Sequence, residues 1–117
     1  MSTLNMSTSN PPAPLRATAL HILAALSEGD CHGYAAMQRI RERSGGTVPI
    51  QTGSFYRHLA RLIEDGLVQV VDKPRPDDDP RRGDYYRLSP RGREALAAER
   101  RRLTELVALL QPRRQRS

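Results

Sequence analysis

The sequence predicts a mainly α fold with one small β-hairpin, a winged helix-turn-helix continued by a long C-terminal helix. Three observations carry this prediction. Four segments repeat their apolar residues at helical spacing. Two short runs of strand character, 67–71 and 85–88, flank a stretch holding Pro74, Pro76, Pro80 and Gly83. The third helical segment stands directly before that hairpin, which is where a reading helix stands relative to a wing. A chain of 117 residues suits one core, and 38% hydrophobic with only 4% aromatic residues makes it a modest one.

Residues 1–14 are rich in Ser, Thr, Asn and Pro and are expected to form a flexible leader. The first helix is expected over 15–27, with Leu15, Ala19, Ile22, Leu23 and Leu26 on one face and Gly29 ending it. A second follows over 34–43, turning Met37 and Ile40 inward and closing at Gly45-Gly46; Tyr34 is expected to pack between these two helices. Pro49 pushes Val48 toward an extended backbone and prevents that helix from continuing.

The third helix takes Thr52 as its expected N-cap and Gly66 as its C′ residue. Phe55, Leu59, Leu62 and Ile63 recur at i, i+4, i+7 and i+8 and make its buried stripe. The two strands then enclose residues 72–84, too long for a tight turn and expected to project as a wing. Tyr85 and Tyr86 are expected to alternate, one toward the core and one outward. Ser89-Pro90, a capping residue with proline at the first helical position, starts a last helix expected to reach Gln111. The expected organisation is a leader (1–14), a winged helix-turn-helix (15–88), a dimerisation helix (89–111) and a basic tail (112–117).

Composition narrows the function. Lys+Arg number 19 against 13 Asp+Glu, a formal charge of +6, and Lys73 is the one lysine. Arginine brings planar multi-donor contacts to phosphate and guanine, so an anionic partner is favoured. A single cysteine, Cys31, excludes an internal disulfide and a cysteine-cluster zinc site. His21, Cys31 and His32 match no zinc spacing and are assigned structural roles, so neither metal nor cofactor is expected. There is no phosphate loop, no Ser/His/acid grouping and no pair of carboxylates in an apolar setting, which argues against an enzyme. No apolar stretch is long enough for a membrane span and no apolar signal segment opens the chain, so a soluble, cytoplasmic protein is expected.

Opposite the buried stripe of the third helix lie Ser54, Arg57 and Arg61, with Gly53 and His58 at the edges. A helix that reads DNA needs one buried face and one face of hydroxyl, amide and guanidinium groups. The predicted DNA-contacting set is Gln51, Thr52, Gly53, Ser54, Tyr56, Arg57, His58 and Arg61, joined by Lys73, Arg75, Arg81 and Arg82 of the wing. Tyr56 is expected to pack its ring while its hydroxyl reaches a phosphate. The plainer alternative makes Arg57 and Arg61 solvated charges, Arg61 pairing with Asp65 at i+4. Charge is unevenly spread: residues 89–117 hold 8 bases and 3 acids, whereas residues 51–66 and 67–88 are each neutral in sum. The Asp77-Asp78-Asp79 run is expected to face solvent while its flanking bases touch DNA. Arg100-Arg101-Arg102 and the tail either add phosphate contacts or solubilise a dimer helix.

Leu96, Leu103, Leu106, Val107 and Leu110 form a seam on the last helix that outruns what a small core can cover. Such a stripe marks an interface, here an expected two-fold homodimer, with the first helix assisting. Two reading helices then match an inverted repeat with half-sites about one DNA turn apart. The competing reading is a winged-helix protein-interaction module whose Arg57 and Arg61 meet an acidic partner.

Three blocks resemble the PadR-like transcriptional regulators across roughly residues 15–106: Ile22-Leu23-Ala24-Ala25-Leu26 leading to His32-Gly33-Tyr34; Gly53-Ser54-Phe55-Tyr56 leading to Leu59, Leu62 and Gly66-Leu67; and Tyr85-Tyr86-Arg87-Leu88-Ser89 leading to Gly92. The resemblance implies a dimeric winged-helix repressor on double-stranded DNA, of the short form whose C-terminal helix makes the dimer. For some members it also implies a small-molecule inducer, aromatic or cationic, at the dimer interface. The chain departs from the family in having Ala35 where an acidic residue is frequent and Asp84 where a basic one is.

Overall fold

Helix α1, Ala17–Leu26, buries Ile22, Leu23, Ala25 and Leu26. The structure, a computed structural model of the chain, describes residues 16–72 and 83–112. The leader, the wing bases Lys73, Arg75, Arg81 and Arg82, the Asp77-Asp78-Asp79 run and the tail from Arg113 lie outside the described residues. Arg39 closes the C-terminal end of α1, donating from Nη1 to Ala25 O and Gly29 O at 2.9 Å each, which satisfies carbonyls that the helix itself leaves open. Ser27 is the C-cap rather than the last helical residue.

Strand β1, Cys31–His32, precedes α2, Gly33–Ser44, which turns Ala36, Met37 and Ile40 inward. Helix α3 spans Thr52–Glu64 and buries Phe55, Leu59 and Leu62. Its N-cap is Gln51, not Thr52: the chain is still extended at 51, so the threonine occupies the first helical position. At the other end Gly66, at φ +79°, adopts the left-handed turn expected of it. Gly66 N–H donates to Ile63 O at 3.0 Å and Leu67 N–H to Leu62 O at 2.9 Å, a Schellman closure.

Strands β2, Val68–Val71, and β3, Tyr85–Leu88, pair antiparallel with Val68 opposite Leu88 and Val71 opposite Tyr85. Leu67 belongs to the turn, so β2 starts one residue later than expected. The expected two-stranded hairpin is a three-stranded sheet in the order β1-β3-β2, with Cys31 opposite Tyr86 and His32 opposite Tyr85. Arg87 fixes this edge, donating from Nε and Nη2 to Asp30 Oδ2 at 3.0 and 2.8 Å. That contact holds the Arg87 guanidinium above its ordinary pKa. Tyr85 and Tyr86 are both half-buried and alternate as expected: Tyr86 packs against the core, while Tyr85 meets the His32 ring edge-on.

Helix α4, Pro90–Leu110, begins as the sequence indicates, with Ser89 as N-cap and Pro90 at the first position. It ends one residue before Gln111, which is extended. The core gathers Ile22, Leu23, Met37, Ile40, Phe55, Leu59, Leu62, Val68 and Leu88 between the three helices and the sheet. Only the first half of α4 takes part, through Gly92, Ala95 and Glu99. Every residue from Arg100 to Leu110 is exposed. Among the described residues no helix is long and apolar enough to cross a membrane.

Candidate nucleic-acid interface

The buried stripe of α3 decides which of its side chains face outward. With Phe55, Leu59 and Leu62 in the core, the 3.6-residue period carries Arg57 and Arg61 to the opposite side. Gln51, Thr52, Gly53, Tyr56, Arg57 and Arg61 are exposed, and Ser54 and His58 are half-buried. None of the α3 members of the predicted set is buried in the core. Arg57 lies back along the helix, its Nη1 3.9 Å from where a Cβ on Gly53 would stand. The missing side chain at Gly53 leaves that guanidinium room at the N-terminal half of α3. Arg61 makes the i,i+4 pair foreseen as the plainer reading, Nε to Asp65 Oδ2 at 3.6 Å. Both partners are largely exposed, so the pair is screened and contributes at most a few tenths of a kcal/mol. An incoming phosphate can replace it.

Tyr56 departs from the expected geometry. Its ring meets Phe55 edge-on at 5.1 Å and 88°, and its hydroxyl end is turned toward α2. A Cβ built on Gly33 would overlap the Tyr56 hydroxyl and stand 2.9 Å from Cε1 and Cζ. The hydroxyl thus marks the contact between α3 and the start of α2. Tyr34, expected to pack between α1 and α2, is instead 65% exposed. Ala36, Met37 and Ile40 already fill the inner face of α2, and Tyr34 falls on the other side of the helix.

His21, Cys31 and His32 do not converge as ligands, and among the described residues no group of three or more His, Cys, Asp or Glu could hold a metal ion. His32 is buried, packed edge-on against Tyr85 at 3.9 Å between ring centroids. Cys31 is buried as well, and burial pushes its thiol above the ordinary value.

A second surface runs along α4. Leu96 lines an open apolar groove of about 770 Å³ with Leu20 and Ser27 of α1, Leu88, Leu103 and Val107. Leu106 and Leu110 continue the exposed stripe beyond it, and Leu109, which the sequence reading passed over, is 80% exposed. Leu109 follows Leu106 by three residues, but the 100° turn per residue carries it off the face that Leu96, Leu103, Val107 and Leu110 share.

Residues 22–98 match the model of the transcriptional regulator PadR-like family. The chain is 37% identical over 91 residues to the Mycobacterium tuberculosis protein described as Transcriptional regulator Rv3488, covering 78% of this chain and 79% of that protein. Among solved structures, a transcriptional regulator from Clostridium thermocellum aligns with a TM-score of 0.60 and 28% identity, over 79% of this chain and 86% of that one. A PadR family transcription regulator from Clostridium difficile shares the fold, with a TM-score of 0.67 at 21% identity over 80% and 93% of the two chains.

Proposed function

Since this chain belongs to the PadR-like family of transcriptional regulators, and is a regulator rather than an enzyme, we propose that it is a homodimeric repressor that reads an inverted-repeat operator through α3. The observation that supports this most is the division of α3 itself. One face is locked in the core by Phe55, Leu59 and Leu62, while Arg57 and Arg61 are exposed on the other. Arginine at such positions reaches guanine O6 and N7 bidentately or a flanking phosphate. The wing bases Lys73, Arg75, Arg81 and Arg82 extend the contact along the backbone, as the pairing of β2 with β3 brings both ends of the 72–84 segment to the same edge of the sheet.

Dimerisation runs through α4. The length from Arg100 to Leu110 is exposed throughout, yet it carries Leu103, Leu106, Val107 and Leu110. The groove that α1 and α4 share adds Leu20 and Leu96 to the same apolar face. A second copy covers this face and sets two α3 helices about 34–36 Å apart, one turn of DNA. A small-molecule inducer of such a dimer would act through that groove, where it alters the spacing of the two reading helices.

The test is the variant Arg57→Ala/Arg61→Ala. Both side chains are exposed, so the protein should keep its thermal midpoint within about 1 °C while specific DNA binding falls by at least a hundredfold. Wild-type affinity in the double variant, read by fluorescence anisotropy, would take the reading role away from α3.

A further inference from the structure

Tyr34 is the most exposed aromatic side chain among the described residues, although it stands between Gly33, which is buried, and Ala35, which is half-buried. Its position is tied to α3. The backbone of Gly33, the residue before it, is approached so closely by Tyr56 that a methyl group there would overlap the phenol hydroxyl. Tyr56 in turn is the chain neighbour of Arg57. The first turn of α2 thus meets α3 at Tyr56, and Tyr34 stands exposed one residue on from that contact. No acidic residue lies in that first turn, so nothing there repels an anion.

We infer that Tyr34 is a DNA-backbone contact, its phenol hydroxyl donating to a phosphate beside the groove that α3 enters, with Tyr56 as the strut that sets the height of α2. The assignment rests on α3 being the reading helix. With α3 in the groove, the start of α2 lies to one side of it, over the sugar–phosphate chain and not over base edges. An exposed phenol suits that place: it gives one neutral donor and a flat apolar ring that packs against the deoxyribose. Tyr34 then fixes register without reading sequence.

The experiment compares wild type, Tyr34→Phe and Arg57→Ala/Arg61→Ala on two duplexes of equal length, the fragment enriched by the wild-type protein from genomic DNA and a shuffled version. Affinities are measured over a series of salt concentrations. Tyr34→Phe removes one oxygen from an exposed position, so the thermal midpoint should not move. Its affinity should fall about tenfold on both duplexes alike. The slope of log K against log salt should stay at the wild-type value, because a neutral hydroxyl releases no counterion. Equal binding by Tyr34→Phe and wild type would overturn the assignment, and so would a loss confined to the enriched fragment, which would place Tyr34 on a base. A wild-type protein that enriches no fragment would remove the α3 reading and this contact together, a result distinct from Tyr34→Phe matching a wild type that does bind.

Discussion

Where α3 meets α4, one serine serves both helices. Ser89 Oγ donates to Gly66 O at 2.6 Å and accepts from Gly92 N–H at 2.9 Å, while Ser89 N–H donates to Leu67 O at 3.0 Å. Gly92 completes the joint, since a Cβ there would overlap Leu67 O and stand 2.8 Å from Leu88 Cδ1. Ser89→Ala should cost about 1–2 kcal/mol of stability in urea denaturation, through the lost cap and an unpaired carbonyl. Gly92→Ala should cost about 3 kcal/mol or more, because the atom it meets is backbone and cannot rotate away. Residues of this kind were partly legible. Ser89-Pro90 announces a helix start by local chemistry, and Gly66 announces a stop. The burden on Gly92 was invisible, because it depends on a carbonyl twenty-five positions earlier in the chain. Tyr34 was misplaced for a related reason: a tyrosine is as much at home in a core as at an edge, and only the filled inner face of α2 decides between them.

Burial at this scale also sets a pH dependence. Cys31 and Tyr86 both have their pKa raised, chiefly by burial. In the unfolded chain each ionises at its ordinary value, 9.0 for the thiol and 10.0 for the phenol, whereas the folded protein retains both protons beyond that point. Unfolding therefore releases protons above about pH 9, and these two groups make stability fall as the pH rises further. A thermal midpoint unchanged between pH 8 and 11 would contradict the burial of these two groups. The thiol should likewise react with alkylating reagents only after denaturation.

At the scale of elements, helices were readable because their apolar period is local: each stripe of α1, α2, α3 and α4 can be counted along the chain. Strand β1 could not be found that way. It has two residues, too few to show alternation, and it exists only because Tyr85 and Tyr86 lie opposite. The third strand also explains why Tyr85 is half-buried, since it brings the His32 ring against it. For α4 the sequence indicated a seam and the structure leaves it uncovered, so the element makes its own prediction. Leu103→Lys/Leu106→Lys places two charges on that face without entering the core, and the variant should remain folded, become a monomer by light scattering, and lose operator affinity by at least a hundredfold. A variant that is still dimeric would move the interface off α4.

Taken whole, the molecule separates its tasks. Recognition is assigned to α3 and the wing, whose summed charge is zero, while 8 bases against 3 acids are concentrated in residues 89–117. On the proposed function, attraction to DNA at long range would come from the region that also carries the proposed dimer seam, and sequence discrimination from a few arginines on a neutral helix. The start of α4 is tied to the turn that ends α3, through Ser89 Oγ donating to Gly66 O. Binding should accordingly fall steeply with salt on any duplex, with a further sequence-dependent component that belongs to Arg57 and Arg61. Selection from sheared genomic DNA by the purified protein, with Arg57→Ala/Arg61→Ala run in parallel, tests this division most directly. The predicted result is an enriched inverted repeat, with half-sites about one turn apart, that the double variant fails to enrich. Uniform, weak recovery by both proteins would contradict it, leaving only the backbone attraction of a basic C-terminal helix.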